Sequence, residues 1–301
     1  MKVVDCEFDL PPDETGNARH ATMSSQIEGQ KNEMRVAKRL PMREGYGFAN
    51  YAHVFGSQTK ERPATGVSMS DYLATARKAG VVAGVTRGLT NEQTCEIVRE
   101  GEGALIGLAY IHPLDGMAGV FEFERLIRDG GLGGLAVSSV YSGLPATHSL
   151  YYPLYAKCVE LKVPVRIYSA MSYANDRAYD LGHPRHIDRV AIDFPELRIV
   201  AGLGGWPWAD EMAALLRRHP NLYADTSAHR PRHIGKPNSG WDRFLHYGNT
   251  INQEKIMVGL SRQLMGQPFE TLIDEYGTLP LKESVLSKWL YQNAAEFYRI
   301  S

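Results

Sequence analysis

The chain has 301 residues, of which 44% are hydrophobic and 22% are charged, which is enough apolar material for one large domain. Its formal net charge is −1 and its pI is about 6.8, so the charge balance does not favour nucleic acid or an anionic membrane surface as a partner.

Three cysteines, Cys6, Cys95 and Cys158, lie far apart and are odd in number, which does not fit a disulfide framework. The first residues enter a strand pattern almost at once, without the apolar stretch of a signal peptide. No apolar run approaches the roughly 18 residues that a membrane span needs. These features predict a cytoplasmic protein that does not insert into a membrane.

Eight short apolar runs have the character of β-strands, and segments with helical spacing separate them. Alternating strands and helices favour a parallel sheet, and eight such units in about 300 residues favour closure into a barrel. We therefore predict one domain over residues 1–301, a distorted (β/α)8 TIM barrel with a long insertion after the first strand. The predicted strands lie at about 2–8, 81–86, 104–110, 133–138, 163–168, 198–203, 221–226 and 255–261.

The first predicted strand carries an acid at every second position. Asp5, Glu7 and Asp9 alternate with apolar residues along it. Because a strand sends alternate side chains to opposite faces, one face is predicted to be apolar and the other to be a stripe of three carboxylates. On the inner face of a barrel, such a stripe would need a cation, a proton or water.

Residues 11–65 interrupt the alternation of strands and helices. A polar connection of this length is typical of a functional lid, an oligomer contact or a disordered segment. Apolar rings left in water forgo about 25 cal/mol per Å². We therefore predict that one aromatic cluster of this segment packs over the barrel mouth or against a second subunit of a homo-oligomer, and its members are Tyr46, Phe48, Tyr51, His53 and Phe55.

Two later segments have clear helical spacing. Residues 183–195 place four apolar side chains on one helical face, with Pro184 in the first turn and Pro195 just past the end. Residues 210–219 repeat the pattern. The predicted inward residues are Ile187, Val190, Ala191 and Phe194 in the first helix and Met212, Leu215 and Leu216 in the second.

An ordered set of short segments resembles the amidohydrolase-2 family of metal-dependent hydrolases and decarboxylases. The resemblance implies a distorted barrel and an activity on small carboxylated, ring-derived or lactone-like compounds. It covers the first strand and roughly residues 70–298. The matching segments are Val4-Asp5-x-x-x-Asp9, Tyr151–Tyr155 with Val163–Val165, His186-Ile-Asp188 running to Asp193–Val200, Gly204–Trp208, Asn221–Ser227 and Asn293–Phe297.

The same resemblance places the family's metal ligands at the ends of strands one, five, six and eight, where this chain has other residues. The two first-strand positions are Glu7 and Asp9, and only Glu7 matches a variant of the family pattern. Tyr168, Leu203 and Ser261 stand at the other three positions. Because zinc needs about four nitrogen, sulfur or oxygen ligands, we predict that the chain uses no metal and no other cofactor. The alternative is a weak site in which Glu7 and Asp9 hold a hard ion together with waters.

Catalytic groups of a barrel lie at the carboxyl ends of its strands. We expect Glu7 and Asp9 to form an acid–base pair, and Tyr168 to donate a hydrogen bond to a substrate oxygen. A salt-bridged barrel floor is the structural alternative for the two acids. For Tyr168 the alternative is a ring that only fills the space that a metal ion and its histidine ligand would otherwise occupy. Arg166 shares the strand parity of Tyr168, so it should point inward and pair with Asp5 or Glu7.

Several further residues at the strand ends are candidates for binding a substrate carboxylate. Arg262 follows the eighth strand directly, and an arginine can hold a carboxylate through two hydrogen bonds. Arg87 is a second arginine of this kind. Surface side chains are the alternative for both arginines, and a solvated loop is the alternative for His229. The predicted substrate-binding residues are Arg262, Ser261, Ser138, His229 and Arg166.

Two functional hypotheses remain open from the sequence. The first is a metal-independent hydrolase or decarboxylase with Glu7 or Asp9 as general base, Tyr168 as acid or oxyanion donor and Arg262 as carboxylate anchor. The second is a catalytically inactive barrel that binds a small ligand or a partner protein, because a fold does not itself confer activity. A polar pocket at the strand ends would favour the first hypothesis.

Overall fold

A computed structural model of the chain describes residues 1–11, 66–88, 90–173 and 177–300. The predicted insertion at 11–65, with its aromatic cluster, lies outside these residues apart from Pro11. Within the described ranges, no helix is both long and apolar enough to cross a membrane.

Eight parallel strands form one sheet in which each strand pairs with the next along the chain. The first and last strands meet where the Cys6 backbone N–H donates to the Val258 carbonyl over 2.8 Å. The predicted TIM barrel is therefore confirmed, although its first and last strands are shorter than expected. The strands are β1 (Val3–Asp5), β2 (Val81–Thr86), β3 (Leu105–Tyr110), β4 (Gly134–Val137), β5 (Val165–Tyr168), β6 (Ile199–Gly202), β7 (Leu222–Asp225) and β8 (Ile256–Met257).

Helices follow the strands and pack around them. Short helices at the carboxyl ends of β4, β7 and β8 stand at the mouth of the barrel. The α-helices are α1 (Met69–Lys78), α2 (Asn91–Glu100), α3 (Gly116–Arg128), α4 (Ser139–Ser142), α5 (Tyr152–Leu161), α6 (Pro184–Asp193), α7 (Ala209–Arg218), α8 (Pro231–Ile234), α9 (Asp242–Gly248), α10 (Arg262–Met265), α11 (Phe269–Gly277), α12 (Glu283–Ser287) and α13 (Asn293–Tyr298). Single 3₁₀ turns lie at Pro113–Asp115, Ser149–Tyr151 and Leu203–Gly205, and a π turn at Lys288–Gln292 joins the last two helices.

The two helices predicted from spacing are present. In α6, Ile187, Val190 and Ala191 are buried, and the His183 ring nitrogen caps the start by accepting from the Arg185 N–H. Phe194 ends this helix, in a non-helical conformation. In α7 the buried residues include Met212 and Leu216, while Leu215 is half-buried.

Side chains of the strands divide into an outer layer under the helices and an inner layer that fills the barrel. Parallel register places Ala136, Arg166 and Val200 side by side, so the three side chains share one face. Arg166 points into the barrel, which makes this the inner face. The inner apolar cluster contains Val4, Cys6, Ala83, Val85, Leu108, Val200 and Met257, and Phe297 of α13 packs against it.

The predicted stripe of three carboxylates on β1 is wrong for Asp5. Asp5 pairs with Gly84, and a Cβ built on Gly84 would meet the Phe8 side chain at 2.6 Å. Phe8 packs on Tyr72 of α1, so Asp5 and Phe8 lie on the outer side. Since β1 ends at Asp5 and the chain turns at the next two residues, Glu7 reaches the interior through this turn and not through strand alternation.

Candidate functional site

A cavity of about 110 Å³ lies at the carboxyl ends of the strands, where catalytic sites of barrels are found. This volume is well below the ~300–1,000 Å³ of pockets that hold drug-sized ligands, so it suits a small molecule. Both apolar and ionisable side chains form its wall. The polar and ring-bearing members of the wall are Cys6, Glu7, Asp9, Thr86, Arg87, Tyr110, Ser138, Tyr141, Arg166, Tyr168, Ser227 and Ser261.

The centre of the cavity is an ion-pair network around Arg166. Its Nη2 lies 2.7 Å from a Glu7 carboxylate oxygen, which is one of the two pairings expected from the sequence. Its Nε donates to Asp225 Oδ2 over 2.7 Å, and Nη2 also reaches Asp225 Oδ1 at 3.2 Å. The arginine on β5 therefore joins carboxylates that follow β1 and end β7.

Asp225 is a strand-end residue that the sequence identifies by position, but the sequence prediction gave it no role and did not pair it with Arg166. It is fully buried, and its Oδ1 accepts hydrogen bonds from the backbone N–H groups of Leu203 and Ser227 at 3.0 and 3.1 Å. Counting the charged residues that point into the barrel would have identified Asp225 as a partner for Arg166. Asp225 ends a strand on the same face as Arg166, and a buried arginine requires an acid.

Backbone shape makes room for the Arg166 side chain. A Cβ built on Gly202 of β6 would lie 2.8 Å from the Arg166 guanidinium carbon, so glycine at this position lets the guanidinium lie against the strand. Burial alone would lower the pKa of Arg166, but the Asp225 and Glu7 carboxylates raise it above its ordinary value. Arg166 is thus a permanent cation in the wall of the cavity.

Glu7 and Asp9 both line the cavity, but they are held differently. The Glu7 side chain is 27% exposed and its ion pair with Arg166 leaves it within the open volume. Asp9 Oδ2 accepts from the backbone N–H groups of Gln263 and Leu264, at 3.1 and 3.4 Å, at the start of α10. The geometry therefore gives Asp9 a role in holding a helix start and leaves Glu7 as the better candidate base.

Tyr168 lines the cavity as predicted, but its hydroxyl is already engaged. The hydroxyl donates to the Met171 carbonyl over 3.0 Å, and burial raises the pKa of Tyr168 above its ordinary value. A neutral tyrosine has a single O–H donor. The predicted donation to a substrate oxygen would have to break the bond to Met171, so this geometry does not support that role.

Arg262 does not take the predicted place in the cavity wall. Its guanidinium carbon lies 5.3 Å from the ring centroid of Tyr72 and 5.1 Å from that of Phe269, between the barrel and the helices. The structure therefore does not support Arg262 as the carboxylate anchor. The backbone of Ser261 is in the left-handed region, with φ of 46°, at the point where the chain turns away from the cavity into α10.

Arg87 occupies the cavity wall instead. It follows β2, and its guanidinium carbon lies 5.2 Å from the ring centroid of Tyr110 and 5.4 Å from that of Tyr141. Aromatic faces attract a guanidinium and fix its position. Among the arginines considered from the sequence, Arg87 and Arg166 are the two that face the cavity.

The remaining predicted binding residues divide between two places. Ser138 and Ser261 line the cavity, and the Ser261 hydroxyl accepts from the Ala228 N–H at 2.9 Å. His229 lies in a neighbouring depression, 5.7 Å from Trp206 and 4.9 Å from Trp241 between ring centroids. Burial lowers the pKa of His229 to about 4, so at neutral pH it carries no charge with which to bind an anion.

Asp5 supports the site from outside the cavity. Its Oδ1 accepts from the backbone N–H groups of Leu260 at 2.7 Å and Glu7 at 3.0 Å. Its Oδ2 is buried without a hydrogen-bond partner. Burial raises the pKa of Asp5 from 3.8 to about 8, with smaller contributions from Asp9 and Glu7 in the same direction. At neutral pH the carboxyl is therefore protonated in the folded chain.

This shift predicts that stability falls as the pH rises. Between the unfolded value of 3.8 and the folded value of about 8, the folded state keeps a proton that the unfolded state has lost. The free energy of unfolding should therefore decrease by up to about 1.4 kcal/mol per pH unit in this window. The stability that Asp5 contributes is fully present below pH 3.8 and is lost as the pH rises through about 8.

Asp5→Asn is the matched variant because its amide oxygen can still accept from Leu260 and Glu7. Urea unfolding at pH 5.5, 6.5, 7.5 and 8.5 should show a smaller decrease for the variant than for the wild type. Histidine titrations are common to both proteins and cancel in the difference. Equal slopes would show that Asp5 is ionised in the folded chain.

The chain belongs to the amidohydrolase family, whose model matches residues 56–300. It is similar to an uncharacterised TIM-barrel protein from Bordetella bronchiseptica, with 23% identity, a TM-score of 0.72 and 99% of each chain covered. A 5-carboxyvanillate decarboxylase from Novosphingobium aromaticivorans, solved with manganese and 4-hydroxy-3-methoxy-5-nitrobenzoic acid, is 13% identical with a TM-score of 0.66, over 99% of this chain and 96% of the other. A 4-oxalomesaconate hydratase from Rhodopseudomonas palustris is 16% identical with a TM-score of 0.60, over 99% and 95%. No curated protein sequence matches this chain.

These likenesses are all below 25% identity and show the shared fold. One similar structure holds manganese, but the residues at the family's ligand positions in this chain are engaged in other contacts or lack a suitable ligand atom. Glu7 is paired with Arg166, Asp9 accepts from backbone N–H groups, and Leu203 has no donor atom. Tyr168 and Ser261 add only neutral hydroxyls. In the described ranges no three His, Cys, Asp or Glu side chains are grouped to hold a metal ion, so this ligand set does not fit one.

Proposed function

We propose that the protein is a hydrolase or carbon–carbon lyase that acts on a small carboxylated, ring-derived or lactone-like metabolite without a divalent metal. The observation that carries this proposal is the cavity itself. A carboxylate, Glu7, and a fixed cation, Arg166, face the same small volume at the strand ends, and Arg87 stands on its wall. Membership of a family that includes hydrolases and decarboxylases supports the reaction class.

Arg87 is the proposed anchor for the substrate carboxylate, in place of Arg262. Its guanidinium is held over the rings of Tyr110 and Tyr141. Rings and a guanidinium together suit a flat, anionic substrate, because they offer both stacking surfaces and hydrogen-bond donors. The small volume of the cavity favours a single ring over a larger molecule.

Glu7 and Arg166 are the proposed reacting pair. In hydrolysis, Glu7 would accept the proton of the attacking water while Arg166 stabilises the negative charge that develops on the carbonyl oxygen. Glu7 would then return that proton to the leaving oxygen as its bond to the carbonyl carbon breaks. In decarboxylation, the bond to the leaving CO₂ breaks and a proton must be delivered to the carbon left behind. Glu7, protonated beforehand by a solvent hydronium ion, would deliver that proton to the carbon as the carbon–carboxylate bond breaks and CO₂ leaves, and would return to its carboxylate form. A lactone and an aromatic carboxylate are therefore both suitable substrates to test.

The first test is a comparison of Arg87→Ala with Arg262→Ala. Loss of a charge-assisted contact from Arg87 should weaken carboxylate binding about 10- to 100-fold, which corresponds to ~1.5–3 kcal/mol. Arg262 lies away from the cavity, so its variant should bind within about twofold of the wild type while losing ~0.5–1 kcal/mol of stability. Calorimetry with 2,6-dihydroxybenzoate and 5-carboxyvanillate, together with urea unfolding, measures both effects. If only the Arg262 variant binds more weakly, Arg262 is the carboxylate anchor, as predicted from the sequence.

A second test concerns the metal. Purified protein should carry well under one equivalent of any transition metal, because the residues at the ligand positions do not make a complete set. Treatment with EDTA should leave the melting temperature and the turnover of added aromatic carboxylates and lactones unchanged. Elemental analysis checks the first point. Stoichiometric zinc or manganese bound through Glu7 and Asp9 would refute metal independence.

The alternative function is an inactive barrel that binds a small ligand or a partner protein. The hydrogen bond from Tyr168 to Met171 favours it, since it leaves one expected catalytic donor engaged. Binding of an aromatic carboxylate with neither CO₂ release nor lactone opening would support this alternative.

We further propose a cytoplasmic protein with a small-molecule partner and no nucleic-acid or membrane partner. The near-neutral charge and the three free cysteines support this proposal. A homo-oligomer remains a prediction from the segment at 11–65, and sedimentation velocity would test it.

A further inference from the structure

One nitrogen atom in the barrel, Arg166 Nη2, is surrounded by three oxygen atoms from other strands. Glu7 Oε2 lies at 2.7 Å, Ser227 Oγ at 2.8 Å and Asp225 Oδ1 at 3.2 Å. Two of these atoms belong to carboxylates and the third to a hydroxyl. Glu7 stands at one of the family's ligand positions, whereas Asp225 ends β7 and Ser227 follows it, so two of the three oxygens come from outside those positions. The three oxygens therefore define a cation-sized position of their own.

The oxygen atoms are held by contacts that do not involve Arg166. Asp225 Oδ1 accepts from the Leu203 and Ser227 N–H groups and also from the Ser227 hydroxyl. The backbone of Glu7 is fixed by its N–H bond to Asp5. A Cβ on Gly259 would meet Ser227 at 2.4 Å and Glu7 at 3.2 Å, so glycine there lets both side chains approach. The cage should persist when the guanidinium is removed.

The cage needs a cation. Asp225 is fully buried, and removal of the partner of a buried charge is strongly unfavourable. Oxygen atoms from carboxylates and hydroxyls are the ligands that Mg²⁺, Mn²⁺ and Ca²⁺ prefer. Distances of 2.7–3.2 Å from a nitrogen would shorten by less than about 1 Å around such an ion, and water can complete its coordination.

We propose that these three oxygens form a cation site that Arg166 fills in place of a divalent ion, and that removal of the guanidinium opens the site to Mn²⁺. This inference concerns the resident cation alone, so it holds whether the protein is an enzyme or an inactive binding barrel. It also explains why Arg166 crosses the barrel from β5 to carboxylates on two other strands.

The test uses Arg166→Ala in the full chain, with Mn²⁺ as the probe. Calorimetric titration and the solution EPR signal of free Mn²⁺ should show about one bound ion per chain, with a Kd on the order of 10⁻⁴ M. The wild type should bind at least about 10-fold more weakly, because its guanidinium occupies the position and repels a second cation. Mn²⁺ should raise the melting temperature of the variant and leave that of the wild type unchanged.

Three controls separate this site from surface binding. Arg166→Lys keeps a cation in the cage and should not bind Mn²⁺. Adding Glu7→Gln or Asp225→Asn to Arg166→Ala removes a charged ligand and should abolish the new binding. Equal Mn²⁺ binding by the single and double variants would overturn the proposal, as would a folded Arg166→Ala protein that binds no Mn²⁺.

Arg166→Ala can also fail to fold because it leaves two carboxylates without a partner. In that case, soluble protein should be recovered when the cells are grown with added Mn²⁺ or when the chain is refolded with millimolar guanidinium ion. Recovery with Mn²⁺ supports the proposed site, whereas recovery with guanidinium ion alone would overturn it, because the cage would then accept only the native group. No recovery with either cation would count against it, since the loss would then reflect packing and not charge.

Discussion

Asp225→Ala should destabilise the fold by about 3–5 kcal/mol, the cost of leaving a buried charge without its partner. Arg166 would lose its hydrogen bonds at Nε and its 3.2 Å contact at Nη2, and two backbone N–H groups would lose their acceptor. Urea unfolding followed by circular dichroism measures the loss. The effect should be larger than that of any other single change in the ion-pair network around Arg166.

Asp225→Asn and Glu7→Gln are the matched comparisons for this prediction. The asparagine keeps an oxygen acceptor for the Leu203 and Ser227 N–H groups, so it should cost less than alanine. Glu7 is partly exposed and can be replaced by water, so Glu7→Gln should cost less than either change at Asp225. A loss below about 1 kcal/mol for Asp225→Ala would show that Arg166 is satisfied by Glu7 and solvent.

Glu7→Gln should reduce turnover by about 100- to 10,000-fold while leaving substrate binding nearly unchanged. Glutamine keeps the shape of the side chain and can still accept from Arg166 Nη2, but it cannot take or deliver a proton at neutral pH. A fall in kcat with little change in KM would identify an interaction that acts on the chemical step. The assay follows CO₂ release from aromatic carboxylates and ring opening of lactones.

Asp9→Asn provides the comparison within the same strand end. Asp9 Oδ2 accepts two backbone N–H groups at the start of α10, and an amide oxygen can do the same. We expect a loss of activity below about 10-fold, less than a general base contributes. The reverse order of the two effects would make Asp9 the base. Full activity in both variants would exclude a carboxylate mechanism.

The cavity depends on a polar network that spans the barrel. Arg166 comes from β5, Glu7 follows β1, and Asp225 ends β7. Arg166 is 159 positions from Glu7 and 59 positions from Asp225 in sequence, yet it contacts both carboxylates within 3.2 Å. Local contacts around each residue do not hold this arrangement. The network therefore depends on glycines such as Gly202 and Gly259, where a larger residue would collide with side chains of the network.

The fold could be predicted from the sequence because strands and helices produce local patterns of apolar residues. Alternating apolar runs and amphipathic helices identified eight strand–helix units, and these need only local periodicity to be recognised. The helix at 184–193 was predicted to within about two residues from one apolar face and two prolines. The ends of strands were less accurate: β1 was expected at 2–8 but ends at Asp5.

The same local reasoning was partly successful for the site. Inward parity placed Arg166 and Tyr168 correctly, because both lie within one regular strand. It failed for Asp5, because the face of β1 that points inward is the apolar one with Val4, and the chain turns directly after Asp5. Parity is a reliable guide only while the strand continues without a bulge or a turn.

By itself, the sequence determined the barrel, the family and the absence of the usual ligand types at Tyr168, Leu203 and Ser261, because these follow from periodicity and residue identity. Only the tertiary structure decided which charges meet. Arg262 packs on the rings of Tyr72 and Phe269. Asp225 on β7 accepts a hydrogen bond from Arg166 on β5. Such choices depend on how strand ends from distant parts of the chain approach one another, and on which buried charges are left to neutralise each other.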